Sequence, residues 1–251
     1  MLTKNRAPLL RKALESVGRQ TYADFEVVIV NDGSSDETDA VIKSWEQEIT
    51  QVNKLMTLQV LQHNASIGIT RSRQEALEKS NGELVAILDD DDEWVYPEKL
   101  QKQVVYLQSH SEAVLVGGSR VSEMNGKSMV VHRPVSDSTI RRTILFKNPF
   151  FTSSVMFRKH AAVAVGGFMY DGEDFAEDYD LWIRLGEKGD FYNFPDVFVK
   201  YRLPSYNKER VLEFLHKQKT LVARYGRGYP FFHCASLLWP LRLFLFPLLG
   251  V

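Results

Sequence analysis

Four consecutive aspartates, Asp89 to Asp92, follow directly on the apolar run Leu84 to Leu88. Four like charges side by side repel, and nothing in folding favours that arrangement at a strand end. A hard divalent cation relieves the repulsion, because it takes carboxylate oxygens and keeps room for phosphate. Bound against a diphosphate, such an ion neutralises charge as the phosphate leaves. The plainer reading is a solvated acidic turn that caps the helix opening at Pro97. Placement at the end of a buried strand favours the functional one.

Asn31-Asp32-Gly33-Ser34 ends another apolar run, Phe25 to Val30. Asp32 is suited to accept an imide N–H from a nucleobase, with Gly33 leaving room for a ring; the alternative is a strand-to-helix turn with Ser34 as cap. Arg71 and Arg73 lie in the helix start after Gly68, within reach of phosphate or ribose. Solvent exposure is the alternative for both and the preferred reading for Arg71. Glu177-Asp178 opens the segment EDYDLWIRL. A carboxylate in a first helical turn is stabilised by the helix dipole whatever else it does. The functional reading makes Asp178 a general base that takes a proton from a nucleophilic hydroxyl. One acidic site to hold an electrophile and another to remove a proton is the division that group transfer from a diphosphate requires.

The elements that would position these groups alternate through the first 110 residues. Leu9, Leu10, Ala13, Leu14 and Val17 share a helical face, with Pro8 in the first turn. Phe25 to Val30 reads as a strand buried on both faces. Ser34 with Glu37 suggests a capping box before a helix that turns Val41, Ile42, Trp45 and Ile49 inward. A strand at Leu55 to Leu61, a helix at Thr70 to Lys79, a strand at Leu84 to Leu88 and a helix after Pro97 follow. Such alternation predicts an α/β fold with a mainly parallel sheet, helices on both faces, and ligands beyond the strand ends. From Ala113 the rhythm changes to a hairpin around Asn125-Gly126, a helix near Ser138 to Phe146 and an aromatic segment at Phe150 to Phe157. This half is expected to be an antiparallel extension that completes a cleft. Trp94 and Trp182 read as core; Phe150 and Phe151 are expected to line the acceptor side of the cleft.

The segments TKNRAPLLRKALESVGRQTYADFEVVIVNDGSSDET (Thr3 to Thr38), GITRSRQEAL (Gly68 to Leu77), NGELVAILDDDDEW (Asn81 to Trp94) and GGF…EDYDLWIR (Gly166 to Arg184) together resemble family 2 glycosyltransferases of the GT-A, Rossmann-like fold. Four ordered motifs over roughly residues 1 to 205 are far more specific than any one of them. The resemblance implies transfer with inversion from a nucleotide-diphospho-sugar to an acceptor hydroxyl, with Mn2+ or Mg2+ as cofactor. It places Thr3 and Asn5 at the nucleotide, Asp32 at the base, and Arg73 at the family's arginine. Asp89 and Asp91 become the ends of a D-x-D motif, Asp91 holding the metal and Asp89 the ribose. Asp90 is counted with the donor site and Asp92 as support. Asp178 matches the catalytic base and Glu177 its acidic neighbour. Residues 1–110 would then bind the nucleotide-sugar, 111–205 the acceptor, and 206–251 would form a basic helix and apolar tail.

Two departures from the family pattern stand out. Members usually carry an apolar strand before the T-x-N-R segment, and here only Met1 and Leu2 precede Thr3, which is expected to leave ladder groups unpaired on both neighbouring strands. Tyr201-Arg202-Leu203-Pro204 aligns where relatives often carry a histidine near the metal; Pro204 cannot ligate, so the metal would rely on Asp91 and phosphate.

Composition sets the outer limits. The chain has 251 residues, 44% of them hydrophobic, which is too much apolar material for a disordered state. A net charge of -1 gives no field to recruit nucleic acid. Cys234 alone cannot form an internal disulfide or a multi-cysteine zinc site. The six histidines show no metal-binding spacing. Met1 to Arg6 has no secretory pattern, and a cytoplasmic setting is expected. Lys208, Arg210, Lys217, Lys219, Arg224 and Arg227 outnumber Glu209 and Glu213, and the stretch from Gly228 is apolar but broken by Pro230, Pro240, Arg242 and Pro247. That pattern suits a peripheral position at the inner face of a membrane, with a glycan or lipid-linked acceptor from bacterial polysaccharide synthesis; the other reading packs the tail on the protein itself. Two further functions compete. A sugar nucleotidyltransferase would need a glycine-rich basic loop that Thr3 to Leu10 lacks, and a nucleotide- or metal-binding module would have lost catalysis.

Overall fold

The computed structural model describes residues 1–124, 127–169, 171–172, 174–202 and 208–237. The Asn125-Gly126 turn, Leu203-Pro204 and the tail beyond Leu237 therefore lie outside the described residues.

Strands β1 (Leu2–Thr3), β2 (Glu26–Asn31) and β3 (Thr57–Gln62) form a parallel sheet in the order β1-β2-β3. Helix α1 (Ala7–Gly18) buries Leu10, Ala13, Leu14 and Val17, and α2 (Thr38–Val52) buries Ile42, Trp45 and Ile49. These apolar faces, spaced at three and four residues, pack together beneath β2. Helix α3 (Ile69–Lys79) follows β3 and leads to β4 (Leu84–Ala86). After the acidic loop come β5 (Glu93–Trp94) and α4 (Lys99–Ser109).

The second half adds β6 (Ala113–Met124), β7 (Lys127–Val131), α5 (Asp137–Thr143), a 3-10 turn at Thr152–Ser154, β8 (Met156–Arg158), α6 (Lys159–Ala164), α7 (Glu177–Leu185), β9 (Asp190–Lys200) and α8 (Lys208–Tyr225). A six-stranded mixed sheet runs β4-β8-β6-β9-β5, with β7 on β6 and β6–β9 as its parallel pair. Its core gathers Trp182, Tyr179, Phe150, Phe157 and Phe191.

Strand β9 has no counterpart in the sequence expectation, because Pro195 interrupts its pattern. The proline sits where the β6–β9 register shifts, and its carbonyl accepts from Ser119 Oγ at 3.0 Å, so the bulge takes up the residue that cannot donate to the ladder. The expected strand at Leu84 to Leu88 is shorter: β4 ends at Ala86 and pairs antiparallel with β8 rather than joining a parallel sheet. The Ser34–Glu37 capping box does not form. Ser34 Oγ accepts from the Asn5 amide at 3.0 Å, and Asp36 instead accepts from the Thr38 amide at 3.1 Å and from the Ala7 amide at 3.1 Å. One carboxylate thus serves the first turns of two helices.

The ladder gap expected beside Thr3 is present. β1 covers β2 only at Val30 and Asn31, and the Met1 amine reaches the Val28 carbonyl at 2.7 Å. Among the described residues β4 has β8 as its only ladder partner. Between β2 and β4 lies a cavity of about 630 Å³, lined by Val27, Val28, Leu84, Ala86, Leu88 and Met156 among others.

The basic face expected on α8 is partly spent inside the protein. Lys217 is buried and pairs with Asp171 at 2.6 Å, and Arg224 lies 3.8 Å from the same carboxylate. Tyr229 is buried with its hydroxyl donating to the Ile183 carbonyl at 2.6 Å, and Ala235 is buried. Tyr229 and Ala235 thus pack on the body of the protein, whereas Phe231 and Leu237 are exposed. No helix among the described residues is long and apolar enough to cross a membrane.

Candidate active site

The end of β2 and the start of the chain form one wall. Asn5, in the left-handed region at φ 54°, accepts from the Ser35 amide through its side-chain oxygen at 2.7 Å. Asn is among the few residues that tolerate this conformation. Gly33 has φ 74°, and a side chain there would meet the Ser66 amide nitrogen at 2.9 Å, so the loop after β3 closes tightly over it.

Asp32 lies beneath that loop. Its Oδ1 accepts from His63 Nδ1 at 2.8 Å and the Ile67 amide at 2.8 Å; its Oδ2 accepts from Ser66 Oγ at 2.5 Å and the Gly68 amide at 3.2 Å. Burial pushes this carboxyl up, but the four donors outweigh it and bring the pKa down to about 2. All four lone-pair positions are engaged. A nucleobase N–H would therefore have to displace one of these protein donors.

The four aspartates are separated by the structure. Asp89 accepts from Arg73 Nη2 at 2.7 Å, and its amide donates to Ser153 Oγ at 3.1 Å. Asp90 is buried and accepts from Arg6 Nη1 at 2.9 Å; burial raises its pKa. Thr3 lies beside Asp90, although its buried hydroxyl makes no hydrogen bond of good geometry. Asp91 also accepts from Arg6 Nη1, at 3.1 Å, and burial with the charge of Asp89 raises its pKa. Asp92 faces the interior, accepting from Ser153 Oγ at 2.5 Å and the Arg202 amide at 2.9 Å. Burial first, then the charge of Asp89, pushes it up to about 8. Asp92 is thus an anchor for the loop.

Arg73 joins this loop to the second acidic pair. Its Nη1 donates to Glu177 while Nη2 donates to Asp89, and the side chain is 10% exposed. Burial alone would lower its pKa, but the charges of Glu177, Asp89 and Asp178 raise it, so the cation is fixed. Glu177 is buried and its pKa is raised by that burial. Arg71, by contrast, is exposed.

Asp178 is half-buried in the first turn of α7. Its Oδ2 accepts from Thr152 Oγ1 at 2.5 Å and from Asn148 Nδ2 at 3.3 Å. Ala176, the residue before the helix, is left-handed at φ 57°, a strained conformation for a residue with a Cβ, and it turns the chain into the helix just ahead of the two acids. Trp94 and Trp182 are core residues. Phe150 is too, packing edge-on to Trp182 and Phe191, so it does not line the cleft as expected; Phe151 is also buried, with its ring centroid 6.4 Å from that of Tyr201.

Arg6, His63, Asn148, Thr152 and Ser153 were not identifiable as site residues from their own spacing. Arg6 and His63 do follow a strand, where ligands of such sheets collect, and that position was their one signal. The other three come from the segment before β8, whose fold brings it under both acidic groups.

The oxygen donors suit Mg2+ or Mn2+. The Asp91 and Asp89 carboxylates are hard oxygen donors, 27% and 31% exposed, and burial, with the charge of Asp89, raises the Asp91 pKa. No group of three His, Cys, Asp or Glu side chains among the described residues is arranged to hold a metal ion by itself. Such a donor set fits an ion whose remaining positions are filled by phosphate and water.

A family model described as glycosyl transferase family 2 matches residues 1–174. The amylovoran biosynthesis glycosyltransferase AmsE of Erwinia amylovora is 30% identical over 226 residues, 88% of this chain and 81% of that protein. The O-antigen biosynthesis glycosyltransferase WbnJ of Escherichia coli is 29% identical over 174 residues, 69% of this chain and 65% of that protein. Among solved structures, TarS of S. aureus in complex with UDP has a TM-score of 0.73 at 17% identity, covering 97% of this chain and 70% of that one. The mannosyltransferase PcManGT of Pyrobaculum calidifontis, in complex with GDP-Man and Mn2+, has a TM-score of 0.70 at 20% identity, covering 96% and 68%. These two structures speak to the fold alone. A family match that runs through the acidic loop, joined to a relative similar along most of both chains, establishes that this chain belongs to glycosyltransferase family 2 and has the GT-A fold.

Proposed function

We propose that this glycosyltransferase moves a sugar, with inversion, from a nucleotide-diphospho-sugar to an acceptor hydroxyl, and that Asp178 is the base. The observation that carries the reading is the position of Arg73, one guanidinium bonded to both Asp89 and Glu177. It ties the loop suited to a diphosphate to the helix that carries Asp178. Asp178 takes the proton as the acceptor oxygen attacks the anomeric carbon from the face opposite the leaving group, forming the new C–O bond as the bond to the diphosphate breaks. Thr152 and Asn148 hold the carboxylate in place. Attack in line needs no covalent sugar–enzyme intermediate.

Thr3, Asn5, Asp32, Asp89 and Asp90 belong to the donor side in this reading. Because Asp32 is saturated by protein donors, its role is to hold the Ser66–Gly68 loop against the nucleotide unless one of those donors is displaced. Asp91, with Asp89 beside it, would hold Mn2+ or Mg2+, which when bound neutralises the diphosphate. The acceptor is a glycan or lipid-linked glycan of bacterial polysaccharide synthesis, and residues 111–205 supply its side of the cleft. A peripheral position at the inner membrane face rests on the sequence of the tail alone.

The test is incubation with Mn2+ and a panel of nucleotide-sugars, with and without lipid-linked acceptors. Release of nucleoside diphosphate supports the proposal. Pyrophosphate release would favour a nucleotidyltransferase, and binding without turnover a non-catalytic module.

A further inference from the structure

Around Phe151, the residue before Thr152, lie two arginines that no acid among the described residues pairs with. Arg120, on β6, and Arg133, just after β7, both stack on Phe151, with guanidinium carbons 4.7 Å and 4.1 Å from its ring centroid. Arg120 is also 4.1 Å from the Tyr201 ring centroid. Neither forms an ion pair among the described residues, and the Nε of each is buried without a hydrogen-bond partner. Burial, then the positive charge of Arg120, holds the Arg133 pKa down to about 10. Stacking on an aromatic ring stabilises a guanidinium by about 0.5–2 kcal/mol, but it satisfies no N–H and does nothing about repulsion between two cations. Such a pair lacks an anion.

The rings on which this pair stacks adjoin, in sequence, residues bonded to each of the two acidic groups. Phe151 precedes Thr152, whose hydroxyl donates to Asp178. Tyr201 precedes Arg202, whose amide donates to Asp92. The rings hold both planar forks in fixed orientations, which suits bidentate recognition of a phosphoryl group. Arg6 and Arg73 are already engaged by the acidic loop and Glu177. Arg120 and Arg133 have no acidic partner among the described residues.

We propose that Arg120 and Arg133 form an anion subsite that binds a phosphoryl group carried by the acceptor and so presents its hydroxyl to Asp178. This rests on the reading of Asp178 as the base. Two guanidiniums match the double charge of a phosphate monoester or of a diphosphate. The group can be the diphosphate that links a glycan to a lipid or a phosphate monoester on the glycan; the charge to be matched is the same.

Calorimetric titration of the full chain in EDTA tests this, with inorganic phosphate, geranyl phosphate and geraniol as probes. Saturable binding of the two phosphates is expected, weakened at least tenfold by Arg120→Gln or by Arg133→Gln and lost in the double variant. Arg133→Lys, which keeps the charge but not the fork, should give a smaller loss, and thermal melting checks that each variant is folded. Arg11→Gln, which opens an exposed pair with Glu48, should leave phosphate affinity unchanged. Tighter binding of geranyl phosphate than of inorganic phosphate supports a lipid-borne group, and equal binding a glycan-borne one. A folded double variant that binds phosphate like the wild type overturns the proposal, as does geraniol binding as well as geranyl phosphate. Competition by UDP or GDP in the presence of Mn2+ overturns it too, because the arginines would then belong to the donor. Failure of every donor to release nucleoside diphosphate strikes the glycosyl-transfer reading instead, and the titrations still report on the arginines.

Discussion

Arg73 and Glu177, 104 residues apart in sequence, form an ion pair in which the side chains are 10% and 9% exposed. The pair joins a helix of the first half to the helix that bears Asp178, and the second fork of the same guanidinium reaches Asp89 at 2.7 Å. Removing one member of a buried pair leaves the other charge uncompensated, at a cost of about 3–5 kcal/mol. Arg73→Met is therefore expected to lower stability by about that amount in urea unfolding. Arg73→Lys keeps a charge but cannot bridge both acids. It should lose less stability than Arg73→Met while turnover falls at least tenfold. A lysine variant with wild-type turnover would mean that the bridge has no part in placing the two acidic groups.

His63 is held between two carboxylates, with Nδ1 at 2.8 Å from Asp32 and Nε2 at 2.7 Å from Glu75. Burial lowers its pKa, but the bonds to Asp32 and Glu75 win and raise it above 6.5. A raised folded pKa means stability that is complete below the unfolded value and is lost as pH rises through the folded one. His63→Gln should therefore melt lower than the wild type below pH 6.5, with the gap narrowing as pH rises. Melting temperatures across that range check it, and a gap that does not change with pH would contradict it.

Lys99 is fully buried, with Nζ donating to Gln103 at 2.7 Å and lying 4.2 Å from the Trp94 ring centroid. Neither contact supplies a counter-charge, and burial lowers its pKa well below 10.5. The unfolded chain then binds more protons than the folded one, so wild-type stability rises as pH approaches 10.5. Lys99→Met should stabilise the protein by about 1–3 kcal/mol at neutral pH, and the gain should shrink toward that pH. Destabilisation at neutral pH would show that the contact with Trp94 outweighs the burial of charge.

Tyr229 and Ala235 are buried against the protein, so a test of membrane association has to begin after them. Removing residues 238–251 is expected to shift the protein from the membrane pellet to the supernatant without lowering its melting temperature. Unchanged sedimentation with membranes would rule out the tail as an anchor.

The first half was legible because its elements are local and periodic. Leu10, Ala13, Leu14 and Val17 declare a helix face, and an apolar run ending in Asn31-Asp32 declares a strand end. The second half is built from long-range pairings that leave a weak local trace. Pro195 hid β9 because its bulge depends on Ser119, far away in the chain. The same holds at the site. Asp89 to Asp92 were visible as a run of charge, but which of them face solvent depends on Arg6, Arg73 and Ser153. Asp32 was visible as a strand-end carboxylate, yet its engagement by His63, Ser66, Ile67 and Gly68 is a tertiary fact. Partners of a charge are set by the fold, and one chain's spacing does not encode them.

The division of labour between the acidic loop and α7 is tested most directly by measuring donor affinity and transfer rate for Asp91→Asn and Asp178→Asn side by side, with Mn2+ and the preferred nucleotide-sugar. Asp91→Asn should weaken metal-dependent donor binding at least tenfold. Asp178→Asn should bind donor within about twofold of the wild type while transfer falls by about 10²–10⁴, the range for loss of a general base. Wild-type transfer by Asp178→Asn, or donor affinity unaffected by Asp91→Asn, would contradict it.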